Sequence, residues 1–140
     1  MSEAGLRLAA EDEDDLRALS TAVQDAVAKV GDLVYDPRQR AFTAVLNRYR
    51  WEETTRPERV RAALRIDDVT GVRARGIALG RAEGVVNLLA LEFRAEGEPP
   101  GGVMRLVFSG GGEIEATVEC IDVSLLDLTR PWRARAKPQH

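Results

Sequence analysis

Two hydrophobic rhythms meet near Gly31. Before it, Leu16, Leu19, Val23, Ala26, Val27 and Val30 recur at i, i+3, i+7, i+10, i+11 and i+14, one apolar stripe at the helical period. The opposite face, with Arg17, Ser20, Thr21, Gln24, Asp25 and Ala28, is mostly polar. The spacing predicts an amphipathic helix over residues 12–30. Asp12 is placed to cap its start, and Gly31 is placed to end it in the left-handed conformation. Just before it, Leu6 and Leu8 alternate with Arg7 as a short first strand.

After Gly31 the period falls to two. Leu33-Val34-Tyr35 leads into Asp36-Pro37-Arg38-Gln39, a turn sequence, and the chain returns over residues 41–51. There Phe42, Ala44 and Leu46 share one face with the later Arg48 and Arg50. Thr43, Val45, Asn47, Tyr49 and Trp51 share the other, so both faces are partly apolar and the strand should be central. Val60, Ala62, Leu64 and Ile66 alternate with Arg61, Ala63, Arg65 and Asp67, the mark of a half-buried strand. Further extended segments are expected over 69–74, 85–93, 104–108 and 114–120. Between the last two, Ser109-Gly110-Gly111-Gly112 reads as a hairpin turn rather than a phosphate loop, because a strand and not a helix follows it. Ser124-Leu125-Leu126-Asp127-Leu128, stopped by Pro131, is expected to form a short C-terminal helix.

One helix followed by closely spaced strands implies an α+β fold: an antiparallel bent sheet or split β-barrel with a long N-terminal helix and a short C-terminal helix. A pleckstrin-homology-like barrel is one version, by fold analogy alone. A length of 140 residues suits a single domain over 1–140, with 130–140 as a basic tail. No stretch approaches the roughly 20 apolar residues of a membrane span. With no leader pattern and one cysteine, the expected place is the cytoplasm.

Candidate chemistry is sparse. The only histidine is the terminal His140 and the only cysteine is Cys120, expected to point inward from a strand beside Ala116. Most nucleophilic, general-base and metal chemistry draws on those side chains, so no catalytic residue, metal ligand or cofactor is implied. Glu113, Glu115 and Glu119 share a strand face and read as a solvated row within reach of Arg105. The net charge of −3 is too small to imply a polyanionic partner. Its distribution is uneven: the acids Glu11 to Asp15 suit a helix start, and Arg130, Arg133, Arg135 and Lys137 make the tail basic. Asn47-Arg48-Tyr49-Arg50-Trp51 combines arginine with amphipathic aromatics, the composition of binding hot spots. Gln24, Asp25, Arg61 and Arg65 are placed to converge on it.

Gln24-Asp25-Ala26-Val27, Val30-Gly31-Asp32, Asn47-Arg48-Tyr49-Arg50-Trp51-Glu52, Val118-Glu119-Cys120-Ile121 and Asp127-Leu128 resemble an alphaproteobacterial domain-of-unknown-function family of about this length. The resemblance spans nearly the whole chain and implies no activity or site residue. The leading functional expectation is a non-enzymatic binding or protein-interaction module using residues 47–51, with a protein partner or a homodimer. A small enzyme or small-ligand-binding protein using arginine and carboxylates is the alternative. RNA contact through the basic tail is weaker still, because Trp132 is the only aromatic near it.

Overall fold

The computed structural model describes residues 5–138; His140, and any reading that uses it, lies outside the described residues. The helix starts as its sequence dictates. Asp12 accepts the Asp15 amide at 2.8 Å, and Glu13, Asp14 and Asp15 place negative charge on the first turn of α1 (Glu13–Val23). Leu16, Leu19 and Val23 bury its inner stripe.

The helix is not the long one expected over 12–30. Gln24 turns extended at ψ 132°, Asp25 takes the left-handed φ of 63°, and the Asp25 amide donates to the Leu88 carbonyl at 2.7 Å. The chain continues as a strand, β2 (Ala26–Lys29), whose Ala26 and Ala28 are buried. Over this span the two periods agree on Ala26 and part on the next two residues: the helical stripe turns Val27 inward and Ala28 outward, and the strand does the reverse. Tertiary hydrogen bonding decides between them. β2 lies between β4 (Ala41–Tyr49) and β7 (Val85–Ala95), and pairs its backbone with both.

The expected C-terminal helix is also a strand. β10 (Val123–Asp127) runs antiparallel between β1 (Arg7–Ala10) and β5 (Glu58–Ile66). Leu125 and Leu126 sit side by side in sequence, which mimics a helical pattern, yet Leu125 is buried and Leu126 exposed, as the pleat requires. β3 (Leu33–Asp36) forms the expected hairpin with β4, and Asp36 accepts the Arg38 amide in the turn.

The remaining strands are β6 (Val69–Arg75), β8 (Gly102–Phe108), β9 (Glu113–Val118) and the short β11 (Trp132–Arg133). The sheet is antiparallel throughout, in the order β1-β10-β5-β4-β2-β7-β8-β9-β6, with β3 also on β4 and β11 also on β5. Its two ends, β1 and β6, do not pair, so the sheet is open. The split barrel and its pleckstrin-homology-like version are corrected accordingly. Closure would need hydrogen bonds between the end strands. Instead, a tight corner at Asp67-Asp68, with Asp68 at φ 58°, carries the chain from β5 to the far end of the sheet. There the Asp67 amide donates to Asp122 and the Val69 amide to Arg40. The bent sheet and α1 enclose one cluster that includes Leu19, Phe42, Leu64, Ile66, Met104, Leu106 and Ile114.

Cys120 does not sit inside a strand. β9 ends at Val118, and Cys120 is half-buried in the loop beyond it, donating to Asp68 at 3.4 Å. Burial first, then this bond and the surrounding carboxylates, raise its thiol pKa.

Candidate interaction face

β4 has two unlike faces, and they divide the arginine–aromatic segment between them. Arg48 follows Phe42, Ala44 and Leu46 inward and is fully buried. Its guanidinium meets Asp127 through Nε and Nη2, both at 2.8 Å, and Glu52 through Nη1 and Nη2 at 2.9 and 2.7 Å. Asp127 also accepts the Leu6 amide at 2.9 Å, which ties β1 to β4 through one carboxylate. Burial alone would pull the guanidinium pKa down; the two carboxylates outweigh it and hold it above its ordinary value. The Arg48 hydrogen bonds hold Glu52 below the usual carboxylate range. This paired fork is an internal fastening, closed to ligands on the inner side.

The outward residues form cross-strand rows. Arg61 of β5, Asn47 of β4, Val27 of β2 and Asn87 of β7 lie side by side in register. A parallel row runs Arg7, Leu126, Ala63 and Val45, and a third joins Arg65, Thr43 and Val34. Beyond them Trp132 aligns with Arg59 and Tyr49. Paired residues share a sheet face, so these rows make one continuous surface.

A groove of about 580 Å³ opens on this surface, with Val27, Val45, Asn47, Arg61 and Val85 in its lining. The loop of residues 77–84 forms its far wall. Gly31 allows that approach: its amide donates to the Ala82 carbonyl at 2.9 Å, and a Cβ here would lie 3.1 Å from that of Ala82. The Oδ1 atoms of Asn47 and Asn87 are buried and have no hydrogen-bond partner among the described residues. Around the groove, Val34, Val85, Leu126, Leu128 and Trp132 are all exposed, and they are five of the seven large exposed hydrophobics among the described residues.

The other expected site residues have definite places. Tyr49 is buried beneath Arg59, whose guanidinium stands 5.9 Å from the ring centroid and donates to the Asp25 and Asn47 carbonyls. Burial lowers the Arg59 pKa, against the pull of Asp25 and Tyr49. Trp51 packs edge-on against Tyr49 at 4.6 Å and donates from Nε1 to the Gln24 carbonyl at 2.9 Å. Gln24 and Asp25 therefore do meet the aromatic segment, through backbone oxygens. Arg50 pairs with Glu58 and with Glu52. Arg61 faces Asp32 at 3.6 Å, and Arg65 pairs with Asp67 at 3.0 Å. The tail is docked: Trp132 and Arg133 pair with β5, and Lys137 stands over Trp51 at 5.7 Å.

The partners of Arg48, Glu52 and Asp127, are not legible in the sequence, because residues 124–128 carry a helical pattern and only the strand β10 brings Asp127 beside Arg48. The row of Val27 and Asn87 with Asn47 depends likewise on β2 being a strand. Glu113 and Glu115 are paired by arginines across the sheet, with Arg105 on Glu113 at 2.6 Å and Arg73 on Glu115 at 3.2 Å. Among the described residues no group of His, Cys, Asp and Glu is arranged to hold a metal ion, and no helix is long and apolar enough to cross a membrane.

These features define a mostly antiparallel-sheet protein with one α-helix and an open sheet, an internally fastened arginine, and an outward face mixing cations with exposed apolar side chains. The chain belongs to the family described as "Protein of unknown function (DUF2948)", whose family model matches residues 6–140. No curated protein and no solved structure matches it.

Proposed function

We propose that this protein is a non-enzymatic interaction module whose outward face on β2, β4, β5 and β10 docks an acidic protein surface carrying apolar anchors. The observation that carries the reading is the collection of exposed hydrophobics on one face with Arg59, Arg61 and Arg65. Exposed apolar groups rimmed by charge mark binding surfaces. The groove beside Asn47 supplies a concave seat. Within the expected site, the binding role narrows to Asn47, Arg61 and Arg65, with Trp51 and Tyr49 supporting the edge.

The test is an anisotropy titration with a labelled peptide alternating leucine and glutamate. Two controls replace leucine by serine and glutamate by lysine. Arg61→Glu/Arg65→Glu should weaken the parent peptide by about tenfold, equivalent to ~1.4 kcal/mol. Equal affinity for the parent and either control, or no effect of the double variant, would overturn the proposal.

A further inference from the structure

A second concavity lies away from that face, where the α1 start, the β7–β8 hairpin and the β9–β10 loop meet. It is a cleft of about 600 Å³ lined by Phe93, Ala95, Pro99, Pro100, Cys120 and Ile121, with Glu11, Asp12, Glu13 and Asp122 also in its wall. The volume falls within the roughly 300–1,000 Å³ of small-molecule sites. Its floor is apolar and its titratable rim is acidic. Among the described residues, none of the four lining carboxylates is ion-paired; the nearby Arg65 is engaged with Asp67. Asp67 and Asp68 add charge from the β5–β6 corner, and Asp68 accepts the Cys120 thiol. An anion at the α1 start would face three acids in the first turn, so the helix terminus does not make this an anion site.

We infer that this cleft binds a small amphiphilic amine, its apolar body against Phe93, Pro99, Pro100 and Ile121 and its ammonium among the carboxylates of Glu11, Glu13 and Asp122. Cleft and charge are independent observations, and together they select one chemistry. A neutral apolar ligand would leave the carboxylates unanswered, and a fatty acid would be repelled. The volume suits a compact molecule better than a protein surface. Asp122 supports the assignment: burial first, then Asp67, Asp68 and Glu11, raise its pKa against the opposing pull of Arg65, so a bound cation would relieve an existing repulsion. The inference does not depend on the docking face.

The experiment titrates the protein with n-octylammonium, octanol and octanoate below their aggregation limits, followed by amide NMR spectra. Octylammonium should give saturable shifts at Phe93, Ala95, Gly101, Cys120 and Ile121, and octanoate should give none. Glu11→Gln/Asp122→Asn, two changes at partly exposed sites, should weaken octylammonium by about tenfold while leaving the unliganded spectrum dispersed. Absence of saturable shifts, equal binding of octanol or octanoate, or indifference to the double variant would overturn the inference. So would tighter binding of a short leucine–arginine peptide at the same amides, since the occupant would then be a protein segment.

Discussion

Arg48 shows that the direction of a side chain is a local property and its partners are not. Its place on the Phe42 face was legible from alternation; its two carboxylate partners were not, because both depend on how distant segments pair. With both partners in place the buried charge is balanced. Removing it leaves Asp127 nearly buried with only the Leu6 amide as a donor. Arg48→Ala should therefore lower unfolding free energy by about 3–5 kcal/mol in urea titration. Arg48→Met/Asp127→Leu should recover part of that loss, since a matched apolar pair replaces a charge without a counterion. If Arg48→Ala proved neutral, the internal fastening would be wrong. Glu52 gives the same network a pH signature. Its folded pKa is depressed by Arg48, so its contribution is present above the unfolded value of about 4.3 and is lost as pH falls through the folded pKa. Glu52→Gln should lower the urea midpoint at neutral pH, with the difference from wild type shrinking in acid. A difference independent of pH would contradict the pairing.

At the level of elements, signals confined to a few neighbouring residues were read well. The Asp12 cap, the Asp36–Pro37 hairpin turn and the half-buried alternation of β5 each declare themselves locally. Ambiguity arises where apolar residues run together over a short span. Ala26-Val27-Ala28 is apolar throughout, and Ser124 to Leu128 contains adjacent leucines, so only pairing with β4, β7, β1 and β5 makes them strands. The open sheet follows from the same non-local information, since strand order is not written in strand sequence. The cap offers a direct check on α1. Asp12→Ala should cost about 0.5–2 kcal/mol of stability by urea denaturation, and Asp12→Asn much less. Equal losses in the two variants would mean that charge rather than the Asp15 amide bond holds the helix start.

Across the whole molecule, the strand pairing of β2 and β10 shapes the outward face. Only with β2 and β10 in the sheet do Val27, Asn87 and Leu126 join Asn47, Arg61 and Ala63 on one surface. The sequence placed binding residues in a contiguous segment; the fold sends Arg48 inward and gathers the outward ones with residues distant in the chain. The two concavities also differ in charge. The groove pairs its cations Lys29 and Arg61 with Glu83 and Asp32, whereas among the described residues the carboxylates lining the cleft at the α1 start have no ion-pair partner. The most direct measurement is amide chemical-shift mapping of the protein against the leucine–glutamate peptide. The account predicts saturable shifts at Val27, Val45, Asn47, Arg61, Ala63 and Leu126, with the amides around Phe93 and Ile121 unmoved. Shifts centred on the cleft, or none that saturate, would contradict it.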